Sequence, residues 1–167
     1  MTDIATIWNP DTNVGDWQVL NGDLVMDGGL ATAAIISLGT DRLANADDVL
    51  PDNSTDRRGW WGDAPIDPTV GGTTTYLIGS RLWLLARGKG LPQTAVLAQQ
   101  IVTEAFQWML DDGVAGAVNV TTQLASSGLQ GAPTDRLYVR VQISQRGQPA
   151  SAKPAYDNVW TVTLGGA

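Results

Sequence analysis

The residue types with the most chemistry to offer crowd into one stretch of this chain. Asp47, Asp48, Asp52, Asp56, Asp63 and Asp67 lie among prolines and glycines, around a central Arg57-Arg58-Gly59-Trp60-Trp61. Carboxylate oxygens are calcium ligands, but Asp47, Asp48, Asp52 and Asp56 do not follow the spacing of an EF-hand loop, and no bidentate Glu closes the set. Asp56 and Asp63 flank the tryptophans, and two carboxyls across a sugar-binding cleft are what a glycosidase uses. A general acid needs an apolar pocket that keeps it protonated, whereas Arg57 and Arg58 directly follow Asp56. The structural alternative is an Asp–Arg ion-pair network that orders the loop, with forked guanidinium donors and cation–π surface held side by side.

What the chain lacks narrows the chemistry further. It has no histidine and no cysteine, and Glu104 is its one glutamate. Most hydrolase triads, thiolate chemistry and cysteine-type zinc sites are thereby excluded. Gly88-Lys89-Gly90 has neither the glycine spacing nor the following hydroxyl of a phosphate loop, so it reads as a turn. No cofactor and no metal are expected. A net charge of −7 disfavours a nucleic-acid partner, because phosphates repel it. No apolar run is long enough to span a bilayer, so no membrane partner is expected. The start, Met1-Thr2-Asp3-Ile4, shows neither the basic nor the apolar region of a signal peptide.

The elements that must position these residues are legible from periodicity. With 167 residues, one domain spanning 1–167 is expected, with 146–167 as a less defined C-terminal strand region. Ile4 to Trp8 reads as a strand ended by Asn9-Pro10-Asp11, and Asn21-Gly22 between two apolar runs signals a hairpin. A helix follows, with Asp27 as its N-cap, Leu30, Ala33, Ala34 and Leu38 on one face, and Gly39 at its end. Residues 41–75 look irregular, and a loop of that length is functional or disordered. Ser80 to Ala86 suggests a short buried helix. From Pro92 one longer helix runs to Leu110, carrying Leu97, Ile101, Ala105 and Trp108, widened by Val102, Phe106 and Met109, and Gly113 stops it.

Trp83 and Trp108 fit the core. Of the adjacent Trp60 and Trp61, one should anchor the loop and the other face a partner. Residues 114–124 suit a strand, and Leu137, Val139, Val141 and Ile143 alternate with polar residues at a period of two. A last strand is expected over 159–164. The fold class that follows is α+β: a small antiparallel sheet packed against two or three helices, with a long ordered loop.

Several segments together resemble the Mu-like phage family of tail baseplate proteins. They are Asp41-Arg42, Asp47-Asp48-Val49-Leu50-Pro51-Asp52, Asp56-Arg57-Arg58-Gly59-Trp60-Trp61-Gly62-Asp63, Gly79-Ser80-Arg81-Leu82-Trp83-Leu84-Leu85 and Gln107-Trp108-Met109-Leu110-Asp111-Asp112-Gly113-Val114. The resemblance covers roughly residues 4–145, and its most specific part is the Arg-Arg-Gly-Trp-Trp-Gly-Asp run. It implies a role similar to that of the lysozyme-like sheath initiators of contractile tails, a historical name that does not imply hydrolysis. It also implies six copies per baseplate, in a virion tail assembled in the cytoplasm of the host bacterium. The implied partners are the baseplate wedge proteins and the tail sheath protein, with the hub or the tail tube as further candidates.

On that resemblance Arg57, Arg58, Trp60, Trp61 and Asp63 position a wedge-facing loop, with Arg81 beside them. Leu137, Val139, Val141 and Ile143, together with Trp160 and Val162 in 159–164, form strands that face the sheath and lend an open edge to it. The rival from a different class is a tail-associated enzyme that cleaves peptidoglycan with Asp56 and Asp63.

Overall fold

A computed structural model describes residues 3–9, 12, 14–27, 29–52, 54–60, 63, 77–125, 135–149 and 152–165. The chain opens with a β arm. β1 (Asp3–Ile4) pairs antiparallel with β6 (Met26–Asp27), and β2 (Thr6–Asn9) pairs with β3 (Val14–Trp17). Between them the hairpin of β4 (Val19–Leu20) and β5 (Asp23–Leu24) closes on Asn21-Gly22, both at positive φ, as a type I′ turn requires.

α1 (Ala31–Gly39) follows the arm and buries Ala34, Ile35 and Leu38. Its N-cap position is Leu30, not Asp27. Asp27 nonetheless supplies the capping chemistry from outside the helix, accepting the amides of Thr32 at 2.9 Å and Gly29 at 2.8 Å. Burial alone would raise its pKa; these amide bonds outweigh that and hold it below the usual carboxylate range.

Where residues 41–63 are described they are irregular, as expected, apart from one parallel bridge between Asp41 and Ser80. The apolar run after Ser80 forms only a 3₁₀ turn, Leu82–Leu85, which buries Trp83 and Leu85. α2 (Pro92–Ala105) begins with proline in its first turn, and α3 (Gln107–Asp111) continues it. The single helix expected over 92–110 is therefore divided at Phe106, whose amide reaches Thr103 O at 3.3 Å. The tightened turn aims the fully buried Phe106 and Met109 into the core. Leu97, expected on the buried stripe, is exposed; Ala98 takes that place beside Ile101, Val102 and Ala105. Gly113 sits at φ 69° after α3, with its amide on Leu110 O.

The C-terminal part is one antiparallel sheet in the order β7 (Ala115–Leu124), β8 (Arg136–Gln145), β9 (Tyr156–Thr163). The last strand starts earlier than 159–164. Register pairs Val120 with Val141 and Val139 with Trp160. α2 packs on β7, and α1, α2 and α3 share one core with the inward residues of the sheet. The fold is α+β, with small antiparallel sheets on helices, as the patterning indicates. No described helix is long and apolar enough to cross a membrane.

Candidate functional site

Two surfaces gather the residues singled out above. The first is the arginine-rich loop, built from its backbone outward. Arg57 donates from Nη1 to Asn45 O and from Nη2 to Ala46 O at 2.8 Å, so it clamps carbonyls and not a carboxylate. Arg58 lies at φ 53° and Gly59 at φ 109°, which turns the chain sharply. From there the Arg58 guanidinium reaches Asp41 at 2.6 Å and lies 4.4 Å above the Trp83 ring. Trp83 in turn donates from Nε1 to Arg42 O at 2.9 Å. Asp56 accepts the Arg58 amide.

Asp63 ties the loop to the body. Its two oxygens accept the amides of Trp60 at 3.2 Å and Ile78 at 3.1 Å. Trp60 is 37% exposed. Trp61, the other tryptophan assigned to this surface, lies outside the described residues.

Arg81 is placed differently from a partner-facing residue. Its Nη1 donates to both oxygens of Asp48 at 2.8 and 3.1 Å, and its Nη2 to Glu104 at 2.7 Å. Arg42 meets the other oxygen of Glu104 at 3.3 Å. Burial works against the Arg81 charge, but the bonds to Glu104 and Asp48 outweigh it and raise its pKa further. Asp48 is shifted the opposite way: burial raises it, and Arg81 with the Asn45 amide brings it below its ordinary value. Arg81 thus pins the loop to α2 from within. Among the described residues no three acidic side chains stand close enough to hold a cation, and Asp48 is committed to Arg81.

The second surface is the sheet. Leu137, Val139, Val141 and Ile143 are fully buried, and β8 is hydrogen-bonded to β7 on one side and β9 on the other. A strand paired on both sides has no edge to lend, so the sheath-facing role expected for 137–143 is corrected: these side chains build the core. Trp160 points inward as well, with Nε1 donating to the Tyr156 hydroxyl at 3.1 Å, and the partly buried Val162 packs on the same core.

The edges belong to β7 and β9. α2 guards the first, since Gln99 donates to Val120 O at 2.9 Å and Thr122 to Ala95 O at 3.1 Å. On β9 no further strand pairs among the described residues, and the Val159 amide is met by the side chain of Asn158 at 2.8 Å. Beside β9 runs a groove of about 340 Å³, walled by Thr6, Ile7, Asn158 and Val159 and floored by Trp8 and Trp160, whose rings lie 5.1 Å apart. Period and composition flagged β8 because its pattern is the cleanest. Nothing local in the sequence distinguishes the central strand from the edge.

The outward face of the sheet is polar. Arg140 grips Asp157 with two bonds, from Nε at 2.8 Å and Nη2 at 2.7 Å, and Gln142 adds a third at 3.1 Å. The Arg140 bonds, then the Gln142 bond, lower the Asp157 pKa to about 2. The sequence placed Arg140 on the polar side of its strand, but its partner seventeen residues away depended on register.

Comparison with known proteins extends the picture. A family model described as phage protein GP46 matches residues 30–150. The chain is 42% identical over 128 residues to the baseplate protein gp46 of Escherichia phage Mu, which covers 77% of this chain and 81% of that protein. It is 37% identical over 120 residues to the Mu-like prophage FluMu protein gp46 of Haemophilus influenzae, covering 72% and 75%. The family match holds the arginine-rich loop, the helices, β7 and β8, while the β1–β6 arm and β9 lie outside it.

Proposed function

The chain belongs to the GP46 family of phage proteins, and on that premise we propose that it is a structural, non-catalytic subunit of a contractile tail baseplate, linking wedge proteins to the first sheath ring. The phage Mu relative, a baseplate protein, supports the baseplate assignment. The observation that carries the linking role is the β9 edge, on which no further strand pairs among the described residues, beside a tryptophan-floored groove. A sheath strand laid along β9 gains backbone hydrogen bonds, and alternate side chains over Trp8 and Trp160 set its register. Six copies acting on one ring turn modest single contacts into a firm joint. The wedge side is the loop of Arg57, Arg58, Trp60, Trp61 and Asp63. Trp60 is its contact residue, and the other described members hold the loop. The protein would then reside in the virion tail after assembly in the host cytoplasm.

The test is co-purification of the full chain with the wedge and sheath proteins of the same virus. Val159→Lys places a charge on the exposed β9 edge, which blunts strand addition. It should cut sheath recovery about tenfold or more and leave wedge recovery unchanged. Trp60→Ala should do the reverse, and both variants should melt within a few degrees of the wild type. Normal sheath binding by Val159→Lys would remove the β9 assignment; normal wedge binding by Trp60→Ala would remove the loop assignment.

A further inference from the structure

The N-terminal arm carries apolar side chains that the fold does not use. Val14, Trp17, Val19, Leu20 and Met26 are each between 55% and 63% exposed. Every residue of β3, β4 and β5 is exposed. A two-stranded ribbon is marginal alone in water, and exposed apolar groups grouped on one element mark an interaction surface.

The root of this arm is fixed. The buried Thr32 hydroxyl donates to Ile4 O at 3.0 Å and accepts the Thr6 amide at 3.1 Å. Gln18 and Val25 are bonded to Ala5 and to one another through backbone groups between 2.7 and 2.9 Å. Trp8 lies against Trp160. The root is therefore held to the body while the β4–β5 tip projects from it.

Charge selects the occupant. Residues 1–41 contain Asp3, Asp11, Asp16, Asp23, Asp27 and Asp41 and no lysine, arginine or histidine. Asp3, Asp16 and Asp23 are exposed among the apolar groups, and Asp16 pairs across the ribbon with Ile7. An apolar surface whose own charged residues are all acids fits a partner that is apolar at its centre and lysine- or arginine-rich at its rim. Two arms of this chain face to face would oppose aspartate to aspartate, and an anionic lipid surface would be repelled. The arm also lies outside the stretch matched by the family model, so it is not part of what that model describes.

We propose that the β3–β6 part of this arm is a second docking surface, separate from the β9 groove and the arginine-rich loop, and that it receives a basic-rimmed apolar face on another tail protein. The tail reading enters only in the choice of probes.

The experiment titrates the full chain against each of the other tail proteins of the same virus, purified singly, at low and at physiological salt. One of them should bind, and more weakly as salt rises. Leu20→Ser alone and Asp16→Lys with Asp23→Lys should each weaken that binding about tenfold or more. Val159→Lys should leave it within about twofold, which separates this surface from the β9 joint. All these positions are exposed, and unchanged melting temperatures establish that the variants fold. Four results would overturn the proposal: arm variants that bind as tightly as wild type, no binding by any of these proteins, dimerisation in sedimentation that Leu20→Ser abolishes, or arm-dependent binding to phosphatidylglycerol-containing vesicles.

Discussion

Arg81 joins three segments that are far apart in sequence: its own 3₁₀ turn, the loop at Asp48 and helix α2 at Glu104. Its side chain is 16% exposed and its Nε has no partner among the described residues, so the two Nη atoms do the binding. Arg81→Met should cost about 1–3 kcal/mol in urea unfolding, because it takes from Asp48 and Glu104 the guanidinium they share. Arg81→Lys should recover only part of that, since a point charge cannot reach both acids as a planar fork does. A second residue with a single permitted identity is Gly79, at φ 98°, where an added Cβ would fall 2.2 Å from Thr40 O. Gly79→Ala should destabilise by at least about 2 kcal/mol. Gly22→Ala, also at positive φ but in open space, should cost about 1 kcal/mol. Equal losses for the two would show that the close approach to Thr40 is of no consequence.

Among the elements, the division of the long helix carries a packing consequence. Phe106 stands in the tightened turn between α2 and α3 and is fully buried, as is Met109 one turn on. A straight helix would rotate these two side chains relative to the β7–β8 face. Phe106→Ala should therefore cost about 3–5 kcal/mol by equilibrium denaturation, through the cavity it opens at the centre of the core. Leu97→Ala, at an exposed site on the same helix, should change stability by less than about 0.5 kcal/mol. If Leu97→Ala proved as costly as Phe106→Ala, the assignment of the buried face would be wrong.

At the scale of the whole molecule, sixteen aspartates and one glutamate make stability depend on acid. Asp157, Asp27 and Asp48 all have folded-state pKa values below their ordinary 3.8, and for Asp157 the value is about 2. In the unfolded chain these groups bind protons more readily. Their stabilisation is therefore complete above about pH 5 and is lost as pH falls from there toward 2, through the folded-state values. The melting temperature should hold steady from pH 7 to 5 and then decline. Asp157→Asn should make that decline shallower, because it removes the Asp157 titration and leaves Arg140 without its fork partner at every pH. An unchanged slope in the variant would mean that the Arg140–Asp157 pair contributes nothing to stability.

The sequence by itself determined the features that depend on near neighbours. The Asn21-Gly22 turn, proline at the start of α2, the left-handed Gly113 and the period-two burial of Leu137, Val139, Val141 and Ile143 each depend on residues a few positions apart. Several short segments together, the Arg-Arg-Gly-Trp-Trp-Gly-Asp run most specifically, pointed to the family. Tertiary structure decided which strand is central and which is the edge, because inward alternation looks the same on both. It also decided that Arg81 is turned inward to Asp48 and Glu104, that Arg58 takes Asp41, and that the apolar side chains of the arm are left facing solvent. Strand order and ion pairing are settled by contacts between residues tens of positions apart, and those contacts leave no periodic trace in the chain that makes them.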